Sequence, residues 1–179
     1  MSRTCKVCKT KFEPKYSTVQ MTCSVPCAIE YTKQKKQKDW KKRKQVIKKS
    51  LKRKQDYEKD LEKVFNQFIR LRDHALPCVS CGAKAGSFKL TAGHFYPAGS
   101  YKNLRFNENN VHGQCWWNCN KNRHGNLQEY RIGIISRITE DELKELDRLA
   151  QVPRHYSIPE LLELIEIYKE KVRILKKNN

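Results

Sequence analysis

Acidic residues are scarce in this chain: 19 Asp and Glu stand against 38 Lys and Arg, a formal net charge of +19 over 179 residues. That imbalance exceeds what solubility asks for and points to a polyanionic partner. Long apolar runs are also missing. No stretch approaches the ~20 residues of a membrane-spanning helix, and no signal-peptide core is present, so a membrane partner is not expected and a soluble protein is. Only 38% of the residues are hydrophobic while 32% are charged, which argues against one large core and for metal sites that supply part of the stability. Proline and glycine vanish between Ala28 and Leu76, so nothing there forbids one very long helix.

Cysteine is what the chain has in a pattern. All eight cysteines fall into close pairs, 5 with 8, 23 with 27, 78 with 81 and 115 with 119. Such pairs let two sulfurs of a tight turn reach one tetrahedral ion at ~2.3 Å, with a second pair closing the shell. Two structural Zn²⁺ sites follow: Cys5, Cys8, Cys23 and Cys27 hold the first, and Cys78, Cys81, Cys115 and Cys119 the second. Disulfides are the competing use, but with no export signal a reducing compartment favours zinc. Apart from these two modules there is no internal repeat.

Taken in order, residues 1–32 form an N-terminal four-cysteine module, with Ser24 as N-cap and Pro26 early in a helix that carries Cys27. Four thiolates leave no open position, so the module is structural. Lys33 to Lys59 carries 14 basic and three acidic residues. This reads either as a solvated linker or as a surface for phosphates, with Lys41, Lys42, Arg43 and Lys44 as contacts. From Tyr57 the period changes, and Leu61, Val64, Phe68 and Leu71 make a buried helical face ending near Pro77. Phe88 to Tyr96 is expected to be a strand delivering His94, Leu104 to Phe106 a second strand, and the residues after Asn109 a turn toward a helix bearing the last cysteine pair. Asn126 to Ile138 is read as helix, and the capping boxes at Thr139-Glu142 and Ser157-Glu160 open two more. In the last helix Leu161, Ile165, Tyr168, Val172 and Leu175 form a stripe that suits either an intramolecular core or a homodimer.

The central residues carry a resemblance. Cys78-x2-Cys81, Gly93-His94, Asn110-x4-Cys115 and Cys119-Asn120 resemble the zinc-stapled branch of the HNH, or ββα-metal, endonucleases. Ala92-Gly-His-Phe-Tyr96, Leu104-Arg-Phe-Asn-Glu108, Asn110-Val-His112 and Gly125-Asn126 are similar, more closely, to the bacteriophage NinG family, whose best-known member cuts branched DNA. The fold this implies is α+β and mostly helical. A small zinc-stabilised ββα-metal core (78–126) lies in a nuclease domain (57–179) with C-terminal helices, preceded by the zinc knuckle module and a long basic helical linker (33–56).

The resemblance implies a metal-dependent, structure-selective endonuclease of branched double-stranded DNA, such as Holliday junctions or D-loops, acting in the host bacterial cytoplasm with Mg²⁺ or Mn²⁺. In it His94 is the general base, Asn110 orients that base through loop hydrogen bonds, and Asn120 is a ligand of the catalytic ion, joined by His124. His112 and Asn122 are further candidates for the same shell. Lys102, Arg105, Lys121 and Arg123 flank the site as phosphate contacts, and Trp116 and Trp117 either pack on the zinc module or stack on bases. Two departures stand out. No Asp occupies positions 91–93, where many relatives place a second ligand, and the last pair is Cys-x3-Cys, so the extra residue is expected to turn Asn120 away from His94. A non-catalytic zinc-dependent nucleic-acid-binding or scaffold protein is the alternative.

Overall fold

A computed structural model describes residues 2–178, with the side chains of 48, 49 and 178 outside that description. The chain divides into two compact units, residues 1–52 and 53–179. The first opens with a two-stranded antiparallel sheet, β1 (Arg3–Thr4) against β2 (Lys11–Phe12). It continues into α1 (Val25–Ser50). Ser24 Oγ accepts from the Cys27 N–H at 3.5 Å, so the predicted cap starts that helix. Lys41, Lys42, Arg43 and Lys44 are exposed on it.

The single long helix that the sequence permits is interrupted. Residues 51–53 are not helical, and α2 (Lys54–Arg72) starts afresh. Neither glycine nor proline causes the break. Ser50 Oγ donates to the Ile47 carbonyl at 2.9 Å, competing at the helix end, while the Asp56 carboxylate accepts from the Arg53 N–H at 2.9 Å and opens the new first turn.

In the second unit β3 (Leu90–His94) pairs antiparallel with β4 (Val111–Cys115), with Gly93 opposite His112 and His94 opposite Val111. The predicted second strand at Leu104–Phe106 is therefore misplaced: Lys102–Leu104 is a 3₁₀ turn, and the strand runs through Val111–Cys115. The helices that follow are α3 (Leu127–Ile134), α4 (Glu140–Ala150) and α5 (Ile158–Asn178). Both predicted capping boxes form, with Glu142 accepting from Thr139 N–H at 2.8 Å and Glu160 from Ser157 N–H at 2.7 Å.

The hairpin contributes to two cores. Leu61, Phe65, Phe68 and Ile69 of α2 meet Leu161, Ile165, Tyr168 and Val172 of α5, together with Ala92, Phe106 and Val111. The α5 stripe is thus spent inside the chain. Val79, Phe95, Leu104, Tyr130, Ile134, Ile138 and Leu146 make the second core. The fold is helix-rich α+β with two small sheets. Among the described residues no helix is long and apolar enough to cross a membrane.

Candidate functional site

Two cysteine tetrads come together, Cys5, Cys8, Cys23 and Cys27 in the first unit and Cys78, Cys81, Cys115 and Cys119 in the second, each with its sulfurs within 4.8 Å of one another. The fit to zinc can be checked on the sulfur spacing. A tetrahedron with ~2.3 Å metal–sulfur bonds has edges of roughly 3.8 Å. The Cys23–Cys27, Cys81–Cys115 and Cys78–Cys119 sulfurs stand 3.8, 3.8 and 3.9 Å apart, and Cys8–Cys23 3.4 Å. These separations are far too long for disulfides at ~2.05 Å.

The thiols themselves call for a cation. Burial disfavours the Cys5 thiolate, but backbone N–H groups of Cys23, Val7 and Cys8 outweigh it and bring the thiol down to about 6. Cys27 goes the other way: the Ser24 hydroxyl favours its thiolate, yet burial and the neighbouring thiols push it up to about 11. Four sulfurs this close cannot all ionise unless a dication neutralises them. Both tetrads can bind metal ions such as zinc.

The second tetrad draws Cys78 and Cys81 from the loop after α2, Cys115 from the end of β4, and Cys119 from a seven-residue π-helical turn, Trp116–Asn122. A π turn accommodates one residue more than an α turn. The extra residue of the Cys-x3-Cys spacing is absorbed there, so Cys119 still reaches the tetrad with its N–H 3.3 Å from Cys115 Sγ. Asn120 is accordingly turned inward, its Nδ2 donating to Gln114 Oε1 at 3.0 Å.

Gln114 is fully buried and was not singled out by the sequence. Its Nε2 donates to Ser80 Oγ at 2.7 Å and to the Gly125 carbonyl at 2.6 Å. It also explains Gly93, where an added Cβ would lie 2.5 Å from Gln114 Oε1. The carboxamide fills the space that a side chain at 93 would need.

His94 ends β3 half-buried, with Nε2 3.1 Å from the Arg105 carbonyl. A carbonyl only accepts, so Nε2 carries the proton and Nδ1 keeps its lone pair. Burial lowers the pKa of His94, which keeps the ring neutral near pH 7. Asn110, fully buried, holds the loop that follows: Oδ1 accepts from Tyr96 N–H at 2.7 Å, and Nδ2 donates to the Tyr96 and Leu104 carbonyls at 3.1 and 3.0 Å. That loop presents the Arg105 carbonyl to His94.

The other predicted residues are distributed differently. His112 is buried and both its ring nitrogens are engaged, Nδ1 accepting from Arg72 at 3.2 Å and Nε2 donating to the Asn109 carbonyl at 3.0 Å. Burial, then the Arg72 guanidinium, brings its pKa down to about 4, so it is a structural neutral imidazole rather than a metal ligand. Arg105 is committed to Glu62 at 2.7 Å and Glu58 at 3.9 Å, which occupies its guanidinium. Lys121 lies over the Trp116 and Trp117 rings. Lys102, Asn122, Arg123 and His124 are exposed, His124 in a left-handed turn (φ 47°).

Beyond Gln114, three residues fix β4: the sequence reading missed Arg72 and Asp73, and gave Tyr130 only an inward place on its helix. Arg72 donates to the Val111 carbonyl at 2.8 Å, the buried Asp73 accepts from the Gly113 N–H at 2.6 Å, and the Tyr130 hydroxyl accepts from His112 N–H and donates to the Gly93 carbonyl. An Arg-Asp pair at a helix end gives little sequence signal, because exposed pairs of that kind are common.

Comparison with known proteins bears on the whole chain. The family model of the bacteriophage lambda NinG protein matches residues 1–178. Protein ninG of Escherichia phage lambda is 31% identical over 195 residues, which cover 97% of this chain and 93% of that protein. Protein ninG of Escherichia phage 933W is 30% identical over 192 residues, with 97% and 94% covered, and that of Salmonella phage P22 is 30% identical over 195 residues, again with 97% and 94% covered. No solved structure matches. With one family model spanning it almost end to end, the chain belongs to the NinG family.

Proposed function

We propose that this protein is a metal-dependent endonuclease of the HNH type that hydrolyses phosphodiester bonds in branched double-stranded DNA. The observation that carries the reading is the His94 tautomer: Nε2–H is tied to the Arg105 carbonyl, leaving Nδ1 free to take a proton from water. Asn110 supports it by fixing the loop that bears that carbonyl. The branched substrate and the host cytoplasm follow from the family resemblance, and the charge of +19 suits a DNA backbone.

A catalytic Mg²⁺ or Mn²⁺ would neutralise charge developing on the phosphoryl and leaving oxygens. With its Nδ2 on Gln114, Asn120 keeps Oδ1 as one hard ligand, and His124 is the other candidate. Among the described residues no cluster of carboxylates adds to them. Water and substrate phosphate would complete such a shell, as Mg²⁺ commonly allows. The same lack of a carboxylate cluster favours the second reading, a zinc-stabilised nucleic-acid-binding or scaffold protein without hydrolysis.

Nicking of a synthetic four-way junction, with and without Mg²⁺ or Mn²⁺, separates the two. His94→Ala should lower the rate by ~10² to 10⁴, with zinc content and junction binding near wild type. Wild-type nicking in that variant would overturn the role of His94. No nicking by the intact protein with either ion would favour the binding reading.

A further inference from the structure

Trp117 is the one exposed aromatic among the described residues of the second unit, with 58% of its surface accessible. It stands on the first half of the π-helical turn, between Cys115 and Cys119 of the tetrad, so its backbone is preorganised rather than loose. The Trp116 ring lies 5.7 Å away, tilted by 39°. Lysines sit on this surface: Lys121 Nζ is 4.6 Å from the Trp117 centroid and 5.2 Å from that of Trp116, and Lys89 Nζ is 5.0 Å from Trp116. The Trp116 N–H donates to the Lys89 carbonyl at 2.9 Å, which fixes the two segments to each other. Beside them opens a cleft of about 280 Å³ whose lining includes Cys81 and Cys115 of the tetrad together with Phe88, Lys89, Trp117 and Asn118. Among the described residues no carboxylate forms an ion pair with Lys89 or Lys121.

From this juxtaposition we infer that Trp117, with Trp116, Lys89 and Lys121, is a stacking site for unpaired bases of a DNA strand. An exposed indole offers a π-face that any base can cover, and ammonium groups beside it can meet the phosphates joining successive nucleotides. An apolar protein surface fits less well, since it would bury two lysines without a counter-charge. Duplex DNA does not fit either, because its base faces are already stacked on each other. The inference rests on the nucleic-acid part of the proposed function and not on hydrolysis, and it gives a reason for a preference for branches, where bases leave the stack.

Tryptophan fluorescence tests it directly. In a Trp40→Phe background the remaining indoles are Trp116 and Trp117. Titration of the zinc-loaded protein with a thymidine oligonucleotide should quench emission saturably, and a blunt duplex hairpin should quench much less. Trp117→Ala should weaken oligonucleotide affinity about tenfold while duplex affinity stays put, and Lys121→Gln should weaken it less and flatten its salt dependence. Equal oligonucleotide affinity in Trp117→Ala, or equal loss for oligonucleotide and duplex, would overturn the site. Zinc content checks the fold of each variant. Preserved quenching in a protein that nicks no junction would leave this site standing while hydrolysis fails.

Discussion

Replacing Tyr130 by Phe removes one oxygen from the centre of the second unit, and the structure sets the size of the effect. Tyr130 is wholly buried, its hydroxyl accepting from His112 N–H at 3.0 Å and donating to the Gly93 carbonyl at 2.9 Å. Those two residues face each other across β3 and β4, so the hydroxyl bridges the strands immediately before His94. Phe retains the ring contacts with Phe95 but leaves two buried backbone groups without that partner. At roughly 1–2 kcal/mol for each group, Tyr130→Phe should cost about 2–4 kcal/mol. For a unit of this size that lowers the melting temperature by about 10 °C. The assay is thermal and urea unfolding of zinc-loaded protein, followed by junction nicking at a temperature where both forms are folded. A loss below ~0.5 kcal/mol would mean that the strands satisfy each other without the hydroxyl, and would refute the bridge.

Further outcomes are expected from the same structure. Gly133→Ala should destabilise by about 1–3 kcal/mol, because its Cβ would fall 1.7 Å from the Val79 carbonyl oxygen; an unchanged melting curve would show that α3 can shift away. Elemental analysis should find zinc at both tetrads, and a strong chelator should unfold the protein, since structural zinc contributes folding free energy; a stable zinc-free fold would contradict this. Acid should act partly through His112, whose pKa of about 4 in the fold lies below its ordinary ~6.5. The unfolded chain then takes up the extra proton, so this stabilisation is complete above ~6.5 and declines as pH falls toward about 4, by about 3 kcal/mol in all. His112→Gln should show a shallower loss between pH 7 and 5 than wild type, and parallel slopes would sink the assignment, thiolate protonation being common to both.

How much of this was legible depended on whether a residue's role was local. The cysteine pairs and the capping boxes announce themselves by type and spacing, whereas His94 and Asn110 were singled out by the family resemblance. The second strand did not. Leu104 and Phe106 alternate like a strand, yet each is buried in a different core and Asn110 grips the Leu104 carbonyl, which holds the segment as a turn. Val111–Cys115 looks unlike a buried strand because His112 and Gln114 are polar. They are buried all the same, since Arg72 and Asn109 satisfy one while Ser80, Gly125 and Asn120 satisfy the other. The break after Ser50 was hidden for a similar reason, resting on two side-chain hydrogen bonds and not on a breaker residue.

The two halves of the candidate site are held by different means, and this bears on how zinc would act. Ser80, Gln114 and Asn120 form one chain of hydrogen bonds, and each adjoins a cysteine of the tetrad: Cys81, Cys115 and Cys119 respectively. Moving any of those cysteines would displace a member of the chain, so a metal bound at the tetrad would set the direction of the Asn120 amide. His94 depends instead on the Arg105 carbonyl and on the loop held by Asn110, neither of which touches a cysteine. A metal held by the second tetrad would therefore set the direction of the Asn120 amide more directly than the orientation of the His94 imidazole. Gly93 joins the halves. It precedes the histidine, and the lack of a Cβ lets the Gln114 carboxamide lie across it. A carboxylate at position 93 and the buried glutamine cannot share that space, which accounts in steric terms for the absence of Asp at 93.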